Sequence, residues 1–421
     1  MFDRDHWHEI GLALAKNKLR TFLTAFGVFW GIFLLVLLLG SGNGLANGAT
    51  AGFGNIATNS FFVWGQRATK PYKGLPAGRE ISYTNDDLEA VRRVPEAKVV
   101  APRLQLGGFR GGNTVTRGTQ TGAFSVMGDE PAIFTIQSMR LLSGRFLNQI
   151  DLLERRKVAV IGTRAVEMLF EKGEDPIGEA IQINGVYFKV IGTFGSRDSG
   201  GEGERDAQTI FVPFSTFQQA FNMPDQVNWF AVTSADGVPA SVAEEKVLAL
   251  LRERHKVAPD DRRAIGHFNL EEEFSKVQGL FRGIRALMWI VGIGTLSAGV
   301  IGVSNIMLII VRERTKEIGI RRAVGATPLA VMRQIVLESV ILTSIAGYLG
   351  LAAGVAVLEL INALIPAPGP DSGPNMFLDP GVSFTSALAA VAILVAAGAL
   401  AGLFPAQRAV AVNPVVALRS E

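Results

Sequence analysis

Four long stretches without a charged residue constrain this chain more than any other feature. They cover residues 21–66, 286–311, 339–358 and 381–407. Each contains an apolar run near or above the ~20 residues that a helix needs to cross a bilayer. The 421-residue chain is 19% charged and 48% hydrophobic, which is too apolar for an ordinary soluble enzyme and too polar for a chain buried throughout in lipid. The pattern predicts four membrane-spanning helices and a large soluble part.

The distribution of Lys and Arg predicts the orientation of these helices. Basic residues lie before the first span, between the second and third, and after the fourth, whereas the loop between the third and fourth has none. Because basic loops remain in the cytoplasm, both termini are predicted to be cytoplasmic. The first span exceeds the 7–15 apolar residues of a signal peptide and is predicted to be retained. The fold class is therefore an α-helical integral membrane protein with four transmembrane helices and a large mixed α/β extracytoplasmic domain inserted between helices 1 and 2.

The predicted domains follow from this orientation. In chain order they are a cytoplasmic amphipathic interfacial helix at 1–20, transmembrane helix 1 at 21–41, the extracytoplasmic α/β domain with its stalk segments at 42–283, transmembrane helix 2 at 284–311, a short cytoplasmic helix at 312–328, transmembrane helix 3 at 329–360, a short extracytoplasmic loop at 361–381, transmembrane helix 4 at 382–405 and a cytoplasmic tail at 406–421. The interfacial helix is predicted to contact membrane lipids, the alternative being a frayed tail.

Glycines recur every four residues after the first span, at Gly40, Gly44, Gly48 and Gly52. On a helix they form one stripe, which allows a neighbouring helix to approach closely. Each glycine weakens a helix by ~1 kcal/mol, so the segment needs a packing partner. We expect a stalk helix packed against the second span or a second copy of the chain; the alternative is a flexible linker.

Within the outer domain, several elements are predicted locally. Residues 157–162 form a buried strand, and 180–192 form a hairpin whose Asn184-Gly185 pair suits a type I′ turn. Residues 87–94 and 240–254 are predicted helices. A charged helix beginning at Leu270 is expected to run into the second span.

Motifs for catalysis and cofactor binding are missing from the sequence. There is no phosphate-binding Gly-x-x-x-x-Gly-Lys-Ser/Thr loop, no Gly-x-Ser-x-Gly elbow and no cysteine. The only start of a His-Glu-x-x-His motif fails because Leu12 replaces its second histidine. The net charge of +3 does not indicate nucleic-acid binding. We therefore predict no catalytic residue, no metal site and no cofactor bound by this chain.

The segment between spans two and three has the signals of a short helix. Glu317 and Arg321 are spaced as an i,i+4 ion pair, and Gly325 suits a helix end. Thr327 and Pro328 suit the cap and first position of the next helix. We expect a helix along the inner membrane face that offers its charges to a cytosolic partner. The alternative is a simple basic anchor.

This region resembles the signature of the MacB/FtsX-type permeases of ABC transporters. The matching runs are Asn-Ile-Met-Leu at 305–308, Glu-Arg-Thr-Lys-Glu-Ile-Gly at 313–319, Arg-Ala at 322–323 and Gly-Ala at 325–326. The resemblance extends to Phe-Pro-Ala-Gln-Arg-Ala at 404–409 near the C-terminus. It is closest to the macrolide-exporter type. That archetype carries a fused ATPase, whereas this chain begins about 20 residues before span one, so a stand-alone permease with a separate ATPase is expected.

The resemblance implies a dimer, formed with a second permease copy or a paralogue, in which each subunit rests on an ABC ATPase that binds ATP and Mg. The short cytoplasmic helix would be the coupling helix that contacts this ATPase. The contact residues implied are Glu313, Arg314, Lys316, Glu317, Ile318, Gly319, Arg321 and Arg322. ATP-driven motion would reach the periplasmic domain by mechanotransmission.

Three functions remain open at this level. The first is efflux or extraction of a substrate at the bacterial inner membrane, with a periplasmic adaptor protein and an outer-membrane channel as partners. The second is an FtsX-like signalling scaffold that regulates an extracytoplasmic hydrolase. The third is a lipoprotein-releasing permease. The outer segment 42–283 is much larger than that of the cell-division member of the family, which favours export.

Overall fold

The computed structural model describes residues 18–51, 56–107, 112–137, 139–195, 206–365 and 377–411. It divides into two compact units. The membrane unit comprises residues 1–48, 279–366 and 376–421, and the α/β unit comprises 49–278 and 367–375. Most of the predicted interfacial helix at 1–20, the last stripe residue Gly52 and the end of the tail lie outside the described residues.

A mixed sheet forms the centre of the α/β unit. Its eleven strands within the described residues are β1 (Ser60–Gly65), β2 (Ala97–Gln105), β3 (Asn113–Arg117), β4 (Gln120–Asp129), β5 (Arg140–Gly144), β6 (Val158–Gly162), β7 (Ala180–Ile183), β8 (Val186–Gly195), β9 (Thr209–Pro213), β10 (Trp229–Ser234) and β11 (Ile265–Asn269). The predicted hairpin is confirmed: β7 and β8 are joined by Asn184 at φ 45° and Gly185 at φ 90°, as a type I′ turn requires.

The strand pairing creates two parts within this sheet. The strands β11, β1, β10 and β2 are antiparallel neighbours in that order. The strands β4, β3, β7, β8, β6 and β9 follow, and β9 pairs in parallel with β4, so these six strands close on themselves. The two parts meet where β2 pairs with the end of β4. β5 pairs with the second half of β8.

Helices cover this sheet and complete its apolar core. They are α2 (Asn85–Arg92), α3 (Ile133–Ile136), α4 (Gln149–Leu153), α5 (Thr163–Leu169), α6 (Phe214–Ala220) and α7 (Ala240–Arg254). α7 has the bounds predicted from sequence, and its Ala243, Val247 and Leu251 are buried at the spacing of one helix face. The predicted helix at 87–94 corresponds to α2, which begins at a capping box formed by Thr84 and Asp87.

One ion pair is buried inside the sheet where its two parts meet. Arg103 on β2 donates from Nε and Nη2 to the two carboxylate oxygens of Asp129 on β4, at 2.9 and 3.1 Å. Asp129 is fully buried and Arg103 nearly so. The guanidinium of Arg103 also lies 5.7 Å from the ring centre of Trp229. Burial raises the pKa of Asp129, and the adjacent guanidinium opposes that rise.

A second buried carboxylate joins α2 to the end of α7. Arg254 donates from Nε to Asp87 at 2.6 Å, and Nε2 of His255 lies 2.9 Å from the other oxygen of the same carboxylate. Burial acts to raise the pKa of Asp87, but the hydrogen bonds from His255, Arg254 and Thr84 outweigh it and hold that pKa well below its usual range.

This lowered pKa predicts an acid-sensitive contribution to stability. The stabilisation by Asp87 is present above the unfolded-state pKa of about 3.9 and is lost as the pH falls through the lower folded-state pKa. Asp87→Asn is expected to lower stability by about 1–3 kcal/mol at neutral pH and to flatten the loss of stability below about pH 4. Unfolding midpoints measured against pH test this, with the exposed Asp86→Asn as control. An unchanged pH slope in Asp87→Asn would contradict it.

Within the described residues, four helices are long and apolar enough to cross a membrane. They are α1 (Lys18–Ala51), α8 (Leu270–Glu313), α10 (Pro328–Leu364) and α11 (Phe384–Val410), with the short α9 (Thr315–Ala323) between α8 and α10. α8 begins directly after β11 and is one continuous helix of 44 residues, so the predicted charged helix and second span are a single element. The expected fold class is confirmed: four apolar helices, with an α/β domain between the first and the second.

Glycines allow the helices of the membrane unit to pack closely. A Cβ added at Gly299 of α8 would lie 3.1 Å from the backbone of Gly27 of α1. At Gly350 of α10, an added Cβ would lie 2.5 Å from the carbonyl oxygen of Phe29. Close backbone approach at small residues is the usual way helices associate in lipid, where the hydrophobic effect does not drive them together.

Gly350→Ala is therefore expected to destabilise the membrane unit by about 1–3 kcal/mol, because the added methyl overlaps backbone that has to shift. The matched control is Gly294→Ala in α8, where an added Cβ meets no atom within 4 Å. Alanine's better helix propensity should make that variant neutral or slightly more stable. Thermal unfolding in detergent compares the two, and equal stability of both variants would show that this contact is not tight.

The glycine stripe predicted after the first span lies on α1, and its neighbours in the membrane unit differ from those expected. A side chain at Gly40 would overlap Leu358 of α10, and one at Gly44 would lie 3.0 Å from Phe377 and Pro380. The amide of Leu378 also donates to the carbonyl oxygen of Gly44, at 3.0 Å. The expected partner was the second span or a second copy of the chain. Instead, the third helix and the loop before the fourth fill this side of the stripe, because glycine here removes the side chain that would block them.

Candidate functional site

The ends of the short helix α9 are formed by residues from which the helix was predicted. Its predecessor α8 ends at Glu313, and the Thr315 hydroxyl donates back to the carbonyl oxygen of Arg312 at 2.7 Å. α9 ends before Gly325, whose φ of 107° is a conformation that side chains rarely adopt. Thr327 then caps α10 with its side chain, and Pro328 occupies the first turn. The segment is therefore a defined helix between two sharp ends.

One face of α9 packs against the membrane unit. Gly319 is buried, and Ile318 contacts the apolar cluster that includes Val331 and Ile335 of α10 and Ala409 of α11. These two residues were among the contacts implied by the resemblance. In the structure Gly319 is buried and Ile318 is half-buried, and this face of α9 is the one that contacts the membrane unit.

The opposite face of α9 is exposed and mixes charged with apolar side chains. Among the implied contact residues, Glu313, Lys316, Glu317 and Arg321 are exposed. They are joined by Ile320, which is 46% exposed, and Val324, which is 85% exposed. The sequence interpretation missed both. Their spacing was the available signal, because Lys316, Ile320 and Val324 recur every four residues and so share one face. We call Lys316, Glu317, Ile320, Arg321 and Val324 the outer face of α9.

Polar contacts fasten α9 to the helices that follow it. Arg321 donates from Nη1 to Gln334 of α10 at 2.9 Å. Arg322 donates from Nη1 to the carbonyl oxygen of Val410 at the end of α11, at 2.7 Å. Arg314, just before α9, forms an ion pair with Glu338 of α10, with 3.5 Å between Nη1 and Oε1. The ion pair expected between Glu317 and Arg321 is not formed among the described residues, because the guanidinium of Arg321 turns towards α10.

The histidines of the α/β unit serve its structure. His267 on β11 lies against the buried carboxylate of Glu244, which also accepts a hydrogen bond from Asn269 at 2.6 Å. His255 is bound to Asp87 as described above. Within the described ranges, no group of three or more His, Asp or Glu side chains is arranged to hold a metal ion.

Two curated proteins similar to this chain are named as export proteins. The chain is 30% identical over 414 residues to the pyoverdine export ATP-binding/permease protein PvdT of Pseudomonas entomophila, covering 96% of this chain and 58% of that protein. It is 28% identical over 413 residues to the macrolide export ATP-binding/permease protein MacB of Psychrobacter arcticus, covering 97% and 58%. The chain thus spans little more than half the length of these relatives.

A solved structure is similar to about half of this chain. The periplasmic region of MacB from Actinobacillus actinomycetemcomitans aligns with a TM-score of 0.43 and 18% identity, covering 53% of this chain and 94% of that one.

Two family models match adjacent parts of the sequence. The MacB-like periplasmic core domain matches residues 21–250, which is more than half of the chain and includes most of α1 and most of the α/β unit. The FtsX-like permease C-terminal domain matches residues 289–414, which include α9, α10 and α11. Along the chain the periplasmic-domain match comes before the permease match, just as the α/β unit comes before α9, α10 and α11. The chain therefore belongs to the MacB/FtsX-type family of ABC transporter permeases.

Proposed function

We propose that this chain is the membrane subunit of an export machine, and that the outer face of α9 docks on a separate ABC ATPase. ATP binding and hydrolysis occur in that partner, which holds the ATP and Mg. The motion of the partner displaces α9, and the spans carry this displacement to the α/β domain. This displacement then moves the substrate on the extracytoplasmic side of the membrane, by efflux or extraction.

The observation that carries this proposal is the two-sided character of α9. Its inner face is fixed to the membrane unit by Ile318 and Gly319. Its outer face presents Ile320 and Val324 between charged side chains. Exposed apolar residues surrounded by charges are typical of a protein interface, because the apolar centre supplies affinity and the charged rim supplies specificity.

The arrangement of the spans also fits transmission better than conduction. The helices pack tightly through glycines, and the contacts of Gly27, Gly299 and Gly350 leave no room for a polar conduit at those points. The four uncharged stretches contain no Asp, Glu, Lys, Arg or His side chain that could mark a transport path through a membrane. We therefore place the substrate at the α/β domain rather than between the spans.

The names of the similar proteins support an export function and an ATP-binding partner. Their names combine an ATP-binding part with a permease, and this chain aligns with only 58% of their length. We infer that the chain lies in the bacterial inner membrane with both termini in the cytoplasm, works as a dimer, and uses a periplasmic adaptor and an outer-membrane channel.

The experiment that tests this function is reconstitution. The full-length tagged chain is purified from its native membranes, the co-purifying ABC ATPase is identified by mass spectrometry, and both are combined in lipid nanodiscs. We expect the chain alone to hydrolyse no ATP, and the complex to hydrolyse it faster than the isolated ATPase. ATP hydrolysis by the chain alone, or an ATPase that neither binds nor responds to the chain, would overturn the proposal.

A further inference from the structure

Glu338 is an acidic side chain among apolar residues of α10, where burying a carboxylate costs free energy. It lies in α10, well after the start of that helix at Pro328, and is 13% exposed. The buried residues Val331, Ile335 and Leu342 lie on the same helix around it. A carboxylate in apolar surroundings needs a cationic partner to remain there. The structure supplies Arg314, which precedes α9 and is itself only 29% exposed.

The residue after Glu338 belongs to a close contact between α10 and α11. The hydroxyl of Ser339 donates to the carbonyl oxygen of Gly398 at 2.6 Å. Cβ atoms added at Gly402 and Gly398 would lie 2.9 Å from Cα of Val336 and 3.1 Å from Cα of Val340. Because their backbones touch along these residues, α10 and α11 can move only as one body at this level.

α9 is therefore attached to a rigid pair of helices at both ends. The Arg314–Glu338 ion pair holds its beginning to α10. The hydrogen bond from Arg322 to the carbonyl oxygen of Val410 holds its end to α11. In the second contact the acceptor is a backbone carbonyl, which every residue type carries. Substitution at position 410 therefore cannot remove it. The first depends on two specific side chains, and so it can be broken and restored by substitution.

We propose that Arg314 and Glu338 are positioning residues that fix the coupling helix α9 to the α10–α11 pair, so that displacement of α9 moves both helices together. Neither residue needs to touch the ATPase for this role. The inference rests on the proposed function of α9. It adds the contact through which displacement of α9 is passed to the spans.

The test uses the full-length chain in nanodiscs with its ATPase. The variants are Glu338→Gln, Arg314→Gln and the charge swap Arg314→Glu with Glu338→Arg. The matched control is Glu359→Gln, which removes an exposed carboxylate near the other end of α10. Binding affinity for the ATPase and stimulation of hydrolysis are measured separately. The position of α9 is followed by spin labels at Ala323→Cys and Phe384→Cys, which lie outside the outer face of α9 and are the only labelled sites because the chain contains no cysteine.

We expect Glu338→Gln to bind the ATPase within about twofold of the unmodified chain, because the outer face of α9 is unchanged. Stimulation of hydrolysis should fall about 3- to 30-fold, the range typical of residues that carry coupling between sites. The distance distribution between the two labels should broaden in both single variants. The charge swap should restore stimulation and the narrow distribution, which a merely structural defect would not allow.

Two results would overturn the inference. One is unchanged stimulation and unchanged label distances in Glu338→Gln. The other is a charge swap that behaves no better than the single variants. If the unmodified chain neither binds nor stimulates the ATPase, the proposed function fails instead. The label distances, measured on the chain alone, still decide whether the ion pair positions α9.

Discussion

Replacing Asp129 with alanine is expected to lower the free energy of unfolding by about 3–5 kcal/mol, the largest stability effect that we predict for a single substitution. The reason is the charge left behind. Arg103 is almost fully buried and donates two hydrogen bonds to this carboxylate. Without Asp129 its guanidinium remains in the sheet with neither water nor a counter-charge around it. Trp229 contacts Arg103 and provides a fluorescent probe of the site.

The measurement is denaturant unfolding of the full-length chain in detergent, followed by circular dichroism and tryptophan fluorescence. The matched control is Asp236→Ala, which removes the partner of Lys98 in an ion pair that is exposed on both sides. That change should cost less than about 1 kcal/mol. The double variant Arg103→Met with Asp129→Leu should recover most of the lost stability, because no unpaired charge is left. If Asp129→Ala costs no more than Asp236→Ala, the pair contributes nothing specific.

Placing aspartate at both Ile320 and Val324 is expected to reduce stimulation of the partner ATPase at least tenfold, which corresponds to about 1.4 kcal/mol or more of lost interaction. Both side chains project from the outer face of α9, and Val324 is 85% exposed. An aspartate is compatible with these exposed positions of the free chain. In the complex, however, it places a negative charge in the apolar centre of the interface. The inner face, with Ile318 and Gly319, is untouched, so the membrane unit should fold normally.

The assay is ATP hydrolysis by the reconstituted complex, with binding of the ATPase measured in parallel. Val242→Asp is the matched control, since Val242 is 42% exposed on α7 in the α/β unit. It should leave both readings unchanged. In contrast to the Glu338 variants, the α9 variants should weaken binding itself. Full stimulation in the double aspartate variant would exclude the outer face of α9 as the ATPase contact.

Features that depend on local chemistry could be predicted from the sequence. The four spans follow from the absence of charge, the turn between β7 and β8 from Asn184 and Gly185, and the start of α10 from Thr327 and Pro328. Each of these depends on neighbouring residues only. The exposed charges of α9 were anticipated for the same reason, since a polar residue beside a span is expected to face water.

Features that depend on residues distant in sequence could not be predicted. Nothing near Ser125 indicates that it pairs with Thr209, and nothing near Arg314 indicates Glu338. The direction of Ile318 and Gly319 was missed because a motif shows which residues recur and not which side of the helix packs. The glycine stripe showed that a neighbour must approach α1 closely, but the identity of that neighbour, Leu358 with the loop at Phe377, depends on the tertiary fold.

The closure of six strands through β4 and β9 has a kinetic consequence. Because β9 follows the five other strands of the ring in sequence, β4 stays open along part of its edge until Thr209 and the residues after it reach Ser125. Pairing of such distant segments is slow, since the entropy of closing the loop is lost before the contact is gained. An open edge is also a template for pairing with other chains. Folding of this ring, after the first span has entered the membrane, is therefore the stage at which a newly made chain is most exposed to aggregation.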